Sequence, residues 1–258
     1  MCNLNILINL TNQPLKTYAF LTGASNLSYK DNSDGDGIYF DNDVLVKSKD
    51  KIDLFNFIDI FKKSKLFLSH QRLKTSGESE IYTQPFENPD FVMAHNGVLH
   101  QYVKDEKSDT FVVFNEFINL FEKLNGSREE RIIKVAETLF KDEYGSWSIS
   151  LFDKKTKILY YFKNNGTFIH FYTGHNILYI TTSINNDILL KTLDINFNEM
   201  EKIENNIIYR ICIKDDKIDI KTLSKIKPKE RSYYNDNFNE FERNYYNDSD
   251  ALRYYMNH

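Results

Sequence analysis

The sequence predicts an α+β fold of layered sheets and helices, and three observations carry that prediction. The first seventy residues are dominated by short extended apolar segments. Two amphipathic helices follow in mid-chain, and a second series of short strands separated by turn residues comes after Gly145. Strands, then helices, then strands again within one continuous core fit an α+β layered domain better than a doubly wound one, which would alternate strand and helix throughout.

Taken in order, Asn3–Leu10 and Thr17–Leu21 read as extended, Asp31–Gly37 as a polar Gly/Asp loop and Ile38–Lys47 as a strand. Lys51–Lys63 carries Ile52, Phe55, Ile58 or Ile60, and Phe61 near helical spacing, which predicts an amphipathic helix. Lys65–Ser69 is a short apolar strand running into His70-Gln71-Arg72, and Phe91–Leu99 is another that ends in Asn96-Gly97. Helices are predicted at Thr110–Leu124 and Arg128–Lys141. Gly126 can end the first and Ser127 can cap the second, while Phe111, Phe114, Phe117, Ile118 and Phe121 form a buried stripe. Strands follow at Trp147–Asp153, Lys157–Phe162, Thr167–Tyr172 and Ile177–Thr182, and Ile207–Ile213 with Lys217–Thr222 form a hairpin around Asp215-Asp216. From Pro228 the composition turns to Asn, Asp, Tyr, Arg and Glu, so 2–222 is read as the domain and 228–258 as a polar Tyr/Asn-rich tail, expected to be mobile or peripheral.

Composition excludes several functions. With 33 Lys+Arg against 37 Asp+Glu the net charge is −4, which gives no electrostatic footprint for nucleic acid. No apolar run approaches the ~20 residues of a membrane span, and the start lacks the features of a signal peptide, so a cytoplasmic protein is expected. The chain has two cysteines, Cys2 and Cys212, too far apart in sequence to form a Cys-x-x-Cys pair, and its six histidines show no metal-ligand spacing. Asp31, Asp34, Asp36 and Asp41 superficially suggest a calcium loop, but position twelve is Asn42 and not the required Glu. No metal and no cofactor is expected.

Four clusters carry candidate chemistry. Removal of Met1 would put a thiol and a free α-amine on Cys2, and an amine titrating near ~8 can take the proton of its own thiol. His70 to Glu78 brings Arg72, Thr75 and Ser76 into close order, suited to a carboxylate. Asn96 and Gly97 place a side-chain amide beside a glycine N–H, a possible pair of oxyanion donors as well as a possible Asn-Gly turn. Asp109, at a helix start, can cap that helix or bind an ammonium. His70 and His95 read as neighbours supporting Arg72 and Asn96, and Cys212 as a buried strand residue.

In this order, Met1-Cys2, His70-x-Arg72-x-x-Thr75-Ser76-Gly77, Ala94-His95-Asn96-Gly97 and Ser108-Asp109-Thr110 resemble the class II, N-terminal-nucleophile (Ntn) glutamine amidotransferase domain. Asn32–Ile38, Gln84-Pro85-Phe86, Gly145–Ser148 and Thr181-Thr182-Ser183 add weaker matches, and the resemblance covers roughly residues 2–213. Asn3 stands where Gly is common and Leu73-Lys74 where an aromatic-small pair is usual, the marks of a divergent, stand-alone member. The resemblance implies a four-layer αββα fold with two antiparallel sheets between helical layers. It implies that Cys2 attacks the glutamine side-chain amide, Asn96 and Gly97 hold the oxyanion, Arg72 and Asp109 clamp the amino-acid end, and Thr75 and Ser76 line the pocket. Ammonia would pass to a separate synthase subunit, because the chain leaves no room for an acceptor domain. A catalytically idle relative, or an amidohydrolase for another amide, are the alternatives.

Overall fold

The structure is a computed structural model that describes residues 2–74, 80–104, 106–164, 170–174, 176–182, 187–196 and 199–228. Thr75, Ser76 and the tail from 229 lie outside the described residues.

The first 71 residues build most of one sheet and its helical cover: β1 (Asn3–Asn9), α1 (Pro14–Tyr29), β2 (Asp36–Phe40), β3 (Val44–Ser48), α2 (Ile58–Phe61) and β4 (Leu66–Gln71). The middle provides β5 (Phe86–Glu87), β6 (Phe91–Gly97), α3 (Asp109–Lys123) and α4 (Arg128–Phe140). Strands dominate the remainder: β7 (Trp147–Asp153), β8 (Ile158–Lys163), β9 (His170–Gly174), β10 (Ile177–Thr181), α5 (Asp187–Lys191), β11 (Glu201–Lys202), β12 (Ile207–Lys214) and β13 (Lys217–Lys225). Among the described residues, sheet I has the order β11-β9-β10-β1-β4-β2-β3 and sheet II the order β13-β12-β8-β7-β6-β5, with every pairing antiparallel.

Side-chain alternation along the strands produces three apolar layers, and three layers of core require four layers of structure. Leu4, Ile6 and Ile8 of β1 and Leu66 and Leu68 of β4 meet Val92, Ala94, Phe152, Leu159, Tyr161 and Ile211 of sheet II, so the two sheets pack face to face. Leu7 and Phe67, on the other face of sheet I, pack with Phe20, Leu21 and Ala24 of α1, Phe61 of α2 and Leu189 of α5. Phe91, Met93, Ile149, Leu151 and Phe162, on the outer face of sheet II, pack with Phe114, Phe117 and Phe121 of α3 and Ile132, Val135 and Leu139 of α4. The result is the αββα sandwich that the resemblance implies.

Three local expectations are corrected. Thr17–Leu21 is helical, within α1. Thr22, Gly23, Ser25 and Asn26 blur its apolar stripe, but Pro14 starts the helix and Gly23 lets Leu189 of α5 approach the backbone. Ile38–Lys47 is a hairpin, because Asp43 at φ +66° turns the chain between β2 and β3. The helix expected over Lys51–Lys63 contracts to a 3₁₀ turn at Leu54–Phe57, which the Asp53 side chain caps through the Phe55 N–H, followed by the single turn of α2.

Candidate active site

One end of the sandwich gathers the described residues among those predicted from the sequence: Cys2, Arg72, Asn96, Gly97 and Asp109. The start of β1, the end of β4, the end of β6 and the start of β7 all lie there, since Asn3 pairs with Gln71 and Asn96–Gly97 pair with Ser148–Trp147. A cavity of about 390 Å³ lined by Ile8, Leu66, Phe152, Ile158, Ile211 and Ile213 sits at the opposite strand ends. Converging polar groups, and not cavity size, therefore mark the candidate site.

Cys2 precedes β1 and is fixed through its sulfur. The thiol donates to the Leu73 carbonyl at 3.3 Å, and the Leu73 N–H donates back to Sγ at 3.3 Å. The residue keeps some exposure. Burial pushes its pKa above the usual thiol range, opposed by the Leu73 hydrogen bond and the Arg72 charge and reinforced by Asp109. At neutral pH the group is a thiol, so a base must take its proton before it can act as a nucleophile.

Arg72 follows β4 directly and is buried. Its guanidinium is within electrostatic range of Cys2, Asp34 and Asp109, and all three charges oppose the downward pull of burial on its pKa. The polar loop before β2 holds this segment from one side: the Arg72 N–H donates to Gly35 O at 2.8 Å, the Asp34 N–H to Arg72 O at 3.0 Å, and the Lys74 N–H to Asp34 Oδ2 at 2.7 Å. The Asp36 carboxylate accepts from Gln71 Nε2 (2.8 Å), Ile52 N–H (3.0 Å) and Ser25 Oγ (3.3 Å). These aspartates tie a loop to a strand, and no metal-ligating cluster forms among the described residues.

Asp109 occupies the first turn of α3, where Ser108 is the N-cap residue but makes no side-chain cap. Asp109 Oδ2 accepts the Leu99 N–H at 2.8 Å and Oδ1 accepts the Thr110 N–H at 2.7 Å. The carboxylate thus joins the helix start to the segment just past Gly97, which brings Asn96–Gly97, Asp109, Arg72 and Cys2 to one region. Thr110 continues the support. Its hydroxyl meets His95 Nδ1 at 2.9 Å and accepts from Gln84 Nε2 at 3.1 Å, while Gln84 Oε1 accepts the His95 N–H at 2.7 Å. Burial pushes the His95 pKa down, so its ring stays neutral.

Asn96 and Gly97 remain within β6, which replaces the Asn-Gly turn with a strand end. Gly97 has φ +129°, and a methyl group added there would overlap the Ser146 carbonyl oxygen, so the close passage of β6 over the 146–147 peptide requires glycine. The next residue locks that passage: the Val98 N–H donates to Ser146 O at 2.6 Å. Glu143 staples the same region by accepting from His100 N–H (3.1 Å), Gln101 N–H (3.1 Å) and Gly145 N–H (2.7 Å). The sequence raises Asp34 only for a calcium loop and does not point to Glu143 at all. Asp34 lies in the Asn32–Ile38 segment, whereas Glu143 precedes Tyr144-Gly145 with no signal of its own.

Comparison with known proteins places the fold. The structure of glutamine phosphoribosylpyrophosphate amidotransferase from Bacillus subtilis, complexed with ADP and GMP, superposes with a TM-score of 0.57 at 16% identity over 86% of this chain and 49% of that one. A structure of the allosteric regulatory enzyme of purine biosynthesis gives 0.57 at 15% identity, again over 86% and 49%. The chain spans about half the length of these solved structures. No family model and no curated protein sequence matches it. At such identity the likeness shows the fold alone, a four-layer αββα sandwich shared with these enzymes.

Proposed function

We propose that the chain is an Ntn glutamine amidohydrolase that cleaves the side-chain amide of glutamine and yields ammonia for an acceptor on a separate synthase subunit. The observation that carries this reading is the grouping of a thiol, a guanidinium and a carboxylate within mutual electrostatic range at Cys2, Arg72 and Asp109. A free amino-acid end needs one cation and one anion, and an amide needs a nucleophile.

In this mechanism Met1 is removed and the α-amine of Cys2 accepts the thiol proton as Sγ adds to the amide carbon. The oxygen becomes an oxyanion, which the Asn96 side-chain amide and the Gly97 N–H receive. Collapse breaks the C–N bond, the α-ammonium returns its proton to the leaving nitrogen, and ammonia departs from a γ-glutamyl thioester. Water then adds, with the amine as base, to release glutamate and restore the thiol. Arg72 holds the substrate carboxylate and Asp109 its ammonium. Thr75 and Ser76 complete the pocket in this reading.

The test is glutamate formation from glutamine, with intact mass used to establish that the mature chain begins at Cys2. Cys2→Ala should lower turnover by at least about 10³-fold while leaving the fold intact. Turnover that survives the substitution overturns the proposal, and a wild-type chain that keeps Met1 and never hydrolyses glutamine favours the idle relative.

A further inference from the structure

Behind the candidate site, the interface between the two sheets contains a patch of polar atoms that no described side chain or backbone group satisfies. The inner face of sheet II presents Asn96 on β6, Ser148 on β7 and Tyr161 on β8, with Asn96 directly opposite Ser148 in the strand register. His70 of β4 faces them from sheet I. Asn96 Oδ1, Ser148 Oγ, Tyr161 OH and both ring nitrogens of His70 are buried and have no hydrogen-bond partner among the described residues. The Tyr161 hydroxyl is turned toward Ser148, and the His70 ring toward the His95 carbonyl, without completing bonds of good geometry. One step further in, Ser150 behaves differently, since its hydroxyl donates to Ala94 O at 3.1 Å.

Five orphaned atoms in one place are not a tolerable accident. Leaving each unpaired costs about 1–3 kcal/mol, and buried polar groups of this kind are normally joined by internal water. The Asn96 amide is the member that matters for chemistry. Its Oδ1 is the atom sealed within the sandwich, and an acceptor held there leaves the NH₂ group for the site end.

We infer that Ser148 and Tyr161, with His70 and bridging water, anchor Asn96 Oδ1 between the sheets and so aim the Asn96 NH₂ group at the oxyanion position; they are positioning residues. The inference rests on the proposed glutamine chemistry for its catalytic consequence but not for the anchoring itself. Neither hydroxyl touches substrate. Their contribution is to stop the amide from rotating by half a turn, which would present an oxygen to a developing negative charge.

The experiment uses the full chain, labelled with ¹⁵N in its asparagine side chains; the Asn96 NH₂ signals are identified as the pair lost in Asn96→Ser. Ser148→Ala and Tyr161→Phe should each displace this pair and speed its exchange with water. Each should also lower kcat on glutamine about tenfold with KM within about twofold, less than the ~10²–10³ lost with an entire oxyanion donor. Ser150→Ala, on the same strand and face, should leave the pair and kcat at wild-type values. The inference is overturned if the pair is unmoved in both variants, if it moves while kcat does not, or if Ser150→Ala has the same effect. Should the wild-type chain prove inactive on glutamine, the proposed function falls, while the amide signals alone still decide the anchoring.

Discussion

At the scale of single residues, Cys2 shows how position and environment combine. A cysteine beside the initiator methionine has little meaning until the fold places it next to Arg72 and Asp109. Its environment also sets its reactivity. Burial and the Asp109 carboxylate favour the neutral thiol, whereas the Leu73 N–H and Arg72 favour the thiolate, and burial prevails. Alkylation of Cys2 by iodoacetamide, followed by peptide mass spectrometry to separate it from Cys212, should therefore be slow at pH 7. It should climb close to tenfold per pH unit through the normal thiol range, because only the thiolate reacts. Arg72→Gln removes a charge that favours the thiolate and should slow labelling at pH 8; Asp109→Asn removes one that opposes it and should accelerate labelling. A plateau below pH 8 would contradict this account of the site.

At the scale of elements, α4 shows which contacts hold a layer in place. Ser127 and Glu130 form a reciprocal capping box, with the Ser127 N–H donating to Glu130 Oε2 at 2.9 Å and the Glu130 N–H to Ser127 Oγ at 3.3 Å. Arg128, the next residue, reaches the turns of sheet II, pairing with Asp153 Oδ2 at 2.5 Å and Asp90 Oδ2 at 3.2 Å. Asp153 is fully buried, so deleting the arginine leaves a carboxylate without its counter-charge, held among the described residues only by the Lys155 and Thr156 N–H groups on Oδ1. Urea unfolding should register a loss of about 1 kcal/mol for Ser127→Ala and of about 3 kcal/mol or more for Arg128→Met, neither with an effect on the chemistry of Cys2. The cap was legible in the sequence because Ser127 follows Gly126, and α3 and α4 were legible because their aromatic and aliphatic stripes keep helical spacing. The helix α1 was not, since its burial depends on Phe20, Leu21 and Ala24 packing on a sheet whose β10 strand lies about 160 residues away. The candidate site divides the same way. Cys2, Arg72, Asn96, Gly97 and Asp109 stood out as chemical types in a family-like order, but the Gln84–His95–Thr110 network is a tertiary fact that no local spacing encodes.

At the scale of the whole molecule, the sandwich buries two histidines beside its candidate site, and this fixes how its stability responds to acid. His70 lies wholly within the sheet interface, where burial pushes its pKa down to about 3, helped by the repulsion that protonating both it and the nearby His95 would create and by the Arg72 charge. Burial pushes His95 in the same direction. Both rings are neutral in the folded chain and free to protonate near pH 6.5 once it unfolds, so below that pH the unfolded state binds more protons than the native one. Stability must then fall as pH drops below about 6.5, and for His70 toward 3, by up to roughly 1.4 kcal/mol per pH unit for each histidine still neutral in the folded chain. Asp36 works in the opposite sense, because burial raises its carboxyl pKa and its protonation is easier in the folded state. It offsets part of the histidine effect as the pH falls. Urea midpoints measured from pH 7.5 to 4.5 should accordingly decline from about pH 6.5 downward, and His70→Gln should flatten the decline. If the midpoint instead stays level to pH 5, His70 is protonated inside the native sandwich, and the orphaned ring nitrogens must have found a partner that accepts charge.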